Sequence, residues 1–484
     1  MLGAFAATSA LNYAFGLAAG WLLAPGDFGL LAFVQTLLLI VGLALNSGVP
    51  WQLTKDLLHL SPEGRHGVIR GALIANCGLA TAIVIVIGAL YVLGPLRLGL
   101  ERSTILLLTL AACPAMAALA IARSSANGLN DFAAVALLTV TEIGIKVIAG
   151  VLLMLLGLGA VGAIAGFTIG AIGGAILGLR YLAVSLAVGW RGARVSPRLR
   201  STFPLFVAVL GLALVLNLDL LALKLVAGDA RSAVGLYQAG IILANLPYYV
   251  VTAALSPILF ARVARMGALD RAAETIGATI ARVLVLVLPL EYALILAPDL
   301  ALGVLFPEAY ASGAAGLQLL ALGNALMIVV SLLATVFQAV GRANVPATLF
   351  AILVPIEALV LIGIVPTRQA AGAATTFVGV ALVAASTLAT LLVVRLDRLY
   401  LRAAGWWLLR YATACGIGAG GAGLVIALGG SGWQALIVAA PIYVASAVAL
   451  RLLTVPGASA VVSSDVSPIP AEGDENHAYP APRL

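Results

Sequence analysis

The chain has 484 residues, of which 63% are hydrophobic and 9% charged, with a mean hydropathy of +1.15. Soluble domains carry about a quarter charged residues, so this composition excludes one and leaves no room for a catalytic domain of the usual ~100 residues. The net charge of +7 is scattered over many loops rather than gathered in one basic patch, so no nucleic-acid partner is expected and membrane topology explains the spread better.

Apolar runs of about 20 residues, enough to cross a bilayer, recur roughly fourteen times, and each must be helical to satisfy its backbone in lipid. In chain order the expected spans are 2–24, 28–51, 68–93, 103–122, 133–156, 160–188, 203–227, 233–260, 276–297, 313–340, 346–365, 371–394, 409–429 and 433–453. The expected fold class is therefore all-α, a polytopic membrane protein. The even-numbered connections and the C-terminal flank hold most of the cations, among them Lys55, Arg65, Arg70, Arg123, Arg191, Arg262, Arg265, Arg342 and Arg395. The opposite side holds Arg97, Arg102, Arg231 and Arg368, while Lys146 and Lys224 lie inside spans. The positive-inside rule then predicts cytoplasmic N- and C-termini in a cell (inner) membrane. Residues from Thr454 onward, rich in Pro, Ser and acids, are expected to be disordered in the cytoplasm. Trp406 and Trp407 read as interface anchors. Cys77, Cys113 and Cys415 read as small core residues, and His59, His66 and His477 fit no metal-ligand spacing.

The chain repeats itself at an offset of roughly 206 residues, as transporters often do. The turn Pro25-Gly26-Asp27-Phe28-Gly29-Leu30 matches Gly228-Asp229 through Val234-Gly235-Leu236. Asn12 matches Asn217, and Pro50…Lys55 matches Pro257…Arg262, each a proline followed five residues later by a cation. Arg123-Ser-Ser-Ala-Asn127-Gly128 loosely matches Gln338-Ala-Val-Gly341-Arg342. Six spans per unit is an even number, so both units insert the same way round and form two parallel bundles with a cleft between them. The expected domains are a six-helix lobe over 1–190, a second over 191–398, two additional spans within 399–453 and the tail over 454–484.

At these residues the chain resembles the polysaccharide-exporter branch of the MOP superfamily, above all the Wzx-type flippases for lipid-linked oligosaccharides. The resemblance rests on Asn12…Pro25-Gly-Asp27-Phe28-Gly29-Leu30, Val234-Gly235-Leu236-Tyr237, Pro257…Arg262 and Gln338-Ala-Val-Gly341-Arg342. It implies a central cavity lined mainly by spans 1, 2, 7 and 8, alternating access, and a polyprenyl-diphosphate-linked glycan as cargo. Glycan polymerase and glycosyltransferases are the protein partners this implies.

Flipping a lipid makes no bond, so no enzyme activity and no cofactor are expected. The barrier is passage of a charged, hydroxyl-rich headgroup through about 30 Å of hydrocarbon. Lys55 and Arg262 are the first choice for diphosphate contact, the other reading being that they anchor helix ends at headgroups. Asp219 and Lys224 in span 7 either line the cavity or pair structurally. Glu142 and Lys146, at i and i+4 in span 5, suit an intrahelical ion pair. Glu291 and Glu357 are lone acids in apolar spans and candidates for H⁺ or Na⁺ coupling, with Glu357 beside a kink at Pro355. Asn46 and Asn245, with Asn12 and Asn217, are candidates to line the cleft, although interhelical hydrogen bonding is the default for asparagine in a span. The alternatives are a MATE-like cation-coupled multidrug antiporter and, from another class, a membrane glycan polymerase or ligase. The short external connections near 94–102 and 298–312 carry no histidine, which argues against the enzyme.

Overall fold

The computed structural model describes residues 2–94, 100, 103–187, 199–226, 231–266, 269–394, 398–450 and 452. Among them all regular structure is helical. Eight helices are long and apolar enough to cross a membrane, or ten if each of two sharply bent pairs is one span. The expectation of fourteen differs because it also counts the N-terminal helix and Arg231–Val250, and counts each of two 50-residue helical runs twice. At 1.5 Å per residue such a run would extend about 75 Å, over twice the hydrocarbon thickness. Both runs contain a break, at Gly157 (φ 85°) and at Gln369 (φ 45°).

The first half comprises α1 (Leu2–Leu22), α2 (Pro25–Asn46), α3 (Val49–Leu57), α4 (Pro62–Val92), α5 (Ser103–Gly128), α6 (Phe132–Leu153), α7 (Gly159–Tyr181) and the short α8 (Ala183–Ala187). Local chemistry sets several of these boundaries. Pro25 opens α2 at a position where its missing N–H costs nothing. Asp131 caps α6 by accepting from the Ala134 N–H at 3.0 Å. Helices α6 and α7 are joined by a π-helical turn, Met154–Leu158, and pack back on each other. Their glycines permit this: a Cβ on Gly166 would lie 2.6 Å from the Gly150 nitrogen.

The second half comprises α9 (Leu199–Val215), α10 (Leu218–Val226), α11 (Arg231–Val250), α12 (Ser256–Met266), α13 (Leu269–Leu296), α14 (Pro298–Leu305), α15 (Ala314–Ala339) and α16 (Asn344–Val393). Helices α9 and α10 form one span bent by 51°, and α13 turns by 90° into α14. The backbone of α16 stays helical through Pro355 and breaks at Gln369, so the sharp departure lies beyond Glu357 rather than at the proline before it. Helices α17 (Arg398–Ala427) and α18 (Gly432–Ala449) pair with each other and lean on α13. There Tyr411 and Tyr443 donate to the Leu284 and Val285 carbonyls at 3.2 and 3.1 Å. Ser431 and Gln434 form a capping box at the start of α18.

The two halves meet mainly through α2 and α11, which run in the same direction. Both spans break at equivalent places. Helix α2 gives way to α3 at Gly48 (φ 67°), and α11 gives way to α12 through the π turn Val251–Leu255. The pairing follows the roughly 206-residue offset read from the sequence. The side chains of Trp406 and Trp407, the tail, Arg97, Arg102 and the Gly228-Asp229 turn lie outside the described residues.

Candidate functional site: a sealed end and two buried polar clusters

At one end of the molecule the first turns of α2 and α11 touch. A Cβ on Gly235 would fall 1.8 Å from the Pro25 carbonyl oxygen, so no larger residue fits there. The stretch after α14 folds over this contact as a 3-10 turn, Glu308–Gly313. Phe306 and Tyr310 stack around Phe28, with ring centroids 6.2 and 5.7 Å from it and 5.4 Å from each other. All three are buried. Tyr310 donates to the Leu23 carbonyl at 3.1 Å, and the Trp21 indole donates to the Leu305 carbonyl at 2.9 Å. The end of α1, the start of α2, α11 and the α14 segment are thus clasped by aromatic packing and two hydrogen bonds to backbone.

Lys55 and Arg262 lie at the other end. Helix α2 alone covers about 33 Å at 1.5 Å per residue, and both cations follow the breaks that end α2 and α11. Both are exposed, on the amphipathic helices α3 and α12. The sequence repeat therefore places its cations at one end and Pro25 and Gly235 at the opposite, sealed end.

Inside the second half, Asp219 sits in the first turn of the half-helix α10 and is 1% exposed. It accepts from the Tyr237 hydroxyl of α11 and from the Leu220 N–H at 2.8 Å. Glu357 of α16 is 0% exposed and close enough to Asp219 for the two carboxyl groups to interact. Among the described residues neither Glu357 oxygen has a hydrogen-bond partner. Lys224, one to two turns along α10, is buried and engaged. Asn217 bonds the Ala213 carbonyl at 2.8 Å across the α9–α10 bend, capping a carbonyl that the bend frees.

Inside the first half, the expected Glu142–Lys146 pair is not what forms. Glu142 pairs with Arg123 of α5, and Lys146 donates to the Asn12 side-chain oxygen of α1. The Lys146 ammonium also lies over the rings of Phe167 and Phe15, 4.4 and 5.4 Å from their centroids. Spacing of i, i+4 on α6 allowed an intrahelical pair, but α5 and α1 flank that face and supply better-aimed partners. Asn12 is thereby committed to α6.

Of the remaining asparagines, Asn46 bonds the Gly42 carbonyl of its own helix at 2.7 Å, and Asn245 is buried on α11 beside Tyr249. Asn76 of α4 bridges the Leu45 and Ala117 carbonyls at 3.0 Å each, tying α2, α4 and α5 together. Glu291 of α13 is 1% exposed with neither oxygen partnered among the described residues. The structure thus brings Asp219 and Glu357 together and joins Asn12 to Lys146. It leaves Lys55 and Arg262 exposed on separate helices. Sequence reasoning passed over Tyr237, Arg123 and the Phe28–Phe306–Tyr310 clasp. Tyr237 stood inside the repeated motif, and that was the available signal.

The family described as "Polysaccharide biosynthesis protein" matches residues 21–315. No curated protein matches the chain. Among solved structures, the chain is similar to the lipid II flippase MurJ in an inward closed conformation, at a TM-score of 0.69 and 13% identity, covering 92% of this chain and 98% of that one. It is also similar to an inward-facing multidrug resistance MATE family transporter of the MOP superfamily, at a TM-score of 0.62 and 13% identity, covering 80% and 95%. A MOP superfamily transporter from Pyrococcus furiosus, described as having a binding pocket of reverse polarity, matches at 0.56 and 14% identity, covering 81% and 93%.

Proposed function

The chain belongs to the polysaccharide biosynthesis protein family, a multi-pass membrane protein with the fold of MOP-superfamily transporters, and from that premise we propose that it flips a polyprenyl-diphosphate-linked oligosaccharide across the cell membrane by alternating access. The observation that carries this reading is the asymmetry between the two ends of the packed spans α2 and α11. One end is clasped by Phe28, Phe306 and Tyr310, and the far end presents Lys55 and Arg262 to solvent.

An anionic headgroup entering from the Lys55 end meets cations first, which offsets part of the cost of leaving water. The polyprenyl tail stays in lipid while the headgroup crosses. Exit requires the Pro25–Gly235 contact to part, so the clasp and the cation-bearing end open in alternation. The Lys55 end is the cytoplasmic one in this reading, with both termini on that side. No bond is made or broken, so the chain acts without catalytic residues. Glycosyltransferases that build the cargo and a polymerase that uses it are its functional partners.

The driving force we assign to the second half. Buried carboxylates inside spans mark ion and proton pathways in carriers, and discontinuous spans mark their binding sites. Asp219, with Tyr237 and Glu357 beside it, combines both features and offers oxygen ligands to H⁺ or Na⁺. The same acidic cluster favours a cation-coupled multidrug antiporter as the second reading.

The test is transfer of a fluorescent polyprenyl-diphosphate oligosaccharide between leaflets of liposomes holding the purified protein. Flipping that responds to a proton or sodium gradient supports the proposal. Efflux of organic cations without lipid movement establishes the antiporter instead.

A further inference from the structure

Helix α4 carries a buried cation that the transport reading does not use. Arg70 is 4% exposed, and its Nε and Nη1 atoms are buried without a hydrogen-bond partner among the described residues. A guanidinium holds its charge at any accessible pH and is not neutralised by burial. Leaving such a group in the interior without acceptors is among the costliest arrangements a fold can adopt. Among the described residues Arg70 makes no ion pair.

The surroundings of Arg70 are polar on one side. His66 lies one turn earlier on the same face of α4. Its Nδ1 sits 3.1 Å from the Ser185 hydroxyl of α8, which packs on α4. Ser185 is itself buried. Helix α3 covers another side of α4, where Leu53 and Leu57 pack with Ile69 and Leu73. Arg70 and His66 therefore share one face of α4, with Ser185 of α8 bonded to His66 and α3 packed on the same helix, at the end of the molecule that carries Lys55. Together they supply donors from two elements around an unmatched positive charge.

We infer that Arg70, with His66 and Ser185, forms a binding site for a phosphate group in the first half of the protein, separate from the cleft. A phosphate has the negative charge that Arg70 lacks opposite it and enough acceptor oxygens for a guanidinium, an imidazole and a hydroxyl at once. At a helix end near the membrane surface, that group comes from an anionic phospholipid headgroup or from a soluble phosphate or pyrophosphate. The site does not depend on which cargo the cleft carries.

The test uses the full chain purified in detergent. Inorganic pyrophosphate and, in a separate arm, phosphatidylglycerol against phosphatidylcholine are added to it. Hydrogen exchange of the wild-type protein is followed in Gly64–Leu73 and Ala183–Ala187, together with the apparent affinity. Slowed exchange in both segments with pyrophosphate assigns a soluble source, and with phosphatidylglycerol alone a lipid source. Arg70→Gln weakens the responding ligand by about tenfold or more, which is about 1.4 kcal/mol, while Arg342→Gln, exposed in the other half, leaves it unchanged. Arg70→Lys, which keeps the charge, gives an intermediate loss and covers the case in which Arg70→Gln does not fold. No slowing with either ligand in the wild-type protein, or an affinity that Arg70→Gln and Arg70→Lys leave intact, overturns the inference and leaves the Arg70 donors to water.

Discussion

The two halves of the molecule place polar groups at equivalent points of the repeat and fill them with opposite chemistry. In the first half α1 meets α6, and the contact is cationic: Lys146 donates to Asn12 and lies against Phe15 and Phe167, with Arg123 and Glu142 paired beside it. In the second half the equivalent spans are α9–α10 and α16, and the contact is acidic: Asp219 receives the Tyr237 hydroxyl while Glu357 has no partner among the described residues. One cluster pairs its charges with each other or with Asn12, although the Arg123 Nε atom stays unpartnered among the described residues, whereas the other has carboxylate oxygens to spare. A duplicated backbone can thus keep one half as a fixed strut and leave the other free to take and release a cation.

That contrast can be broken by substitutions that trade stability against transport. The largest effect expected is from Asn12→Leu, which strands the Lys146 ammonium between two aromatic rings. Breaking a buried charged contact on one side costs about 3 kcal/mol, and detergent unfolding of the purified protein should show a loss of that size, with flipping per folded molecule nearly unchanged. An unchanged unfolding midpoint with flipping lost would make Asn12 a cargo ligand and erase the strut. Glu357→Gln should do the reverse: gradient-dependent flipping falls by about a hundredfold, equal to roughly 2.7 kcal/mol, while the unfolding midpoint holds or rises because an unpaired buried carboxyl is gone. Stability lost in step with transport would assign Glu357 to the strut class as well.

Two smaller changes sharpen the comparison. Tyr237→Phe removes one hydrogen bond that stabilises the ionised Asp219 carboxylate, and about 1–2 kcal/mol should appear as a roughly tenfold fall in the proton concentration needed for half-maximal flipping. Arg123→Gln should cost about 1.5 kcal/mol, the loss of a charge-assisted contact whose two side chains keep some access to water at 21% and 22% exposed. Its check is the unfolding midpoint, and transport should not move.

Much of this was legible in the sequence because charges in apolar spans are conspicuous. Lys146, Asp219, Lys224, Glu291 and Glu357 all announce themselves against a hydropathy profile, and the repeat of Pro25–Leu30 in Val234–Leu236 located the two spans that meet. What the sequence did not reveal was which groups answer those charges. Partners 134 residues apart, as for Asn12 and Lys146, arise only when helices pack, and hydropathy records that a charge is buried without recording what faces it. Glu142 and Lys146 show the error this invites: local spacing pointed to an intrahelical pair, yet each side chain turns to another helix. The α14 segment was hidden for a different reason. Eight residues bent by 90° from α13 look like a loop in a linear reading, yet they deliver Phe306 and Tyr310 to the seal. Arg70 illustrates a third limit, since its position near a span end reads as a headgroup anchor, whereas the fold buries it.

The central claim is that the clasp at the Pro25 end must open for cargo to leave. It is tested most directly by locking it. A Cβ on Gly20 would lie 2.7 Å from the Phe306 Cδ1 atom, so Gly20→Cys and Phe306→Cys place two thiols across the clasp to be joined by a disulfide, directly or through a short dithiol spacer, in a background with Cys77, Cys113 and Cys415 replaced by alanine. In liposomes carrying a labelled polyprenyl-diphosphate oligosaccharide, oxidation should stop flipping and reductant should restore it. Flipping that continues at full rate with the disulfide formed would contradict the account.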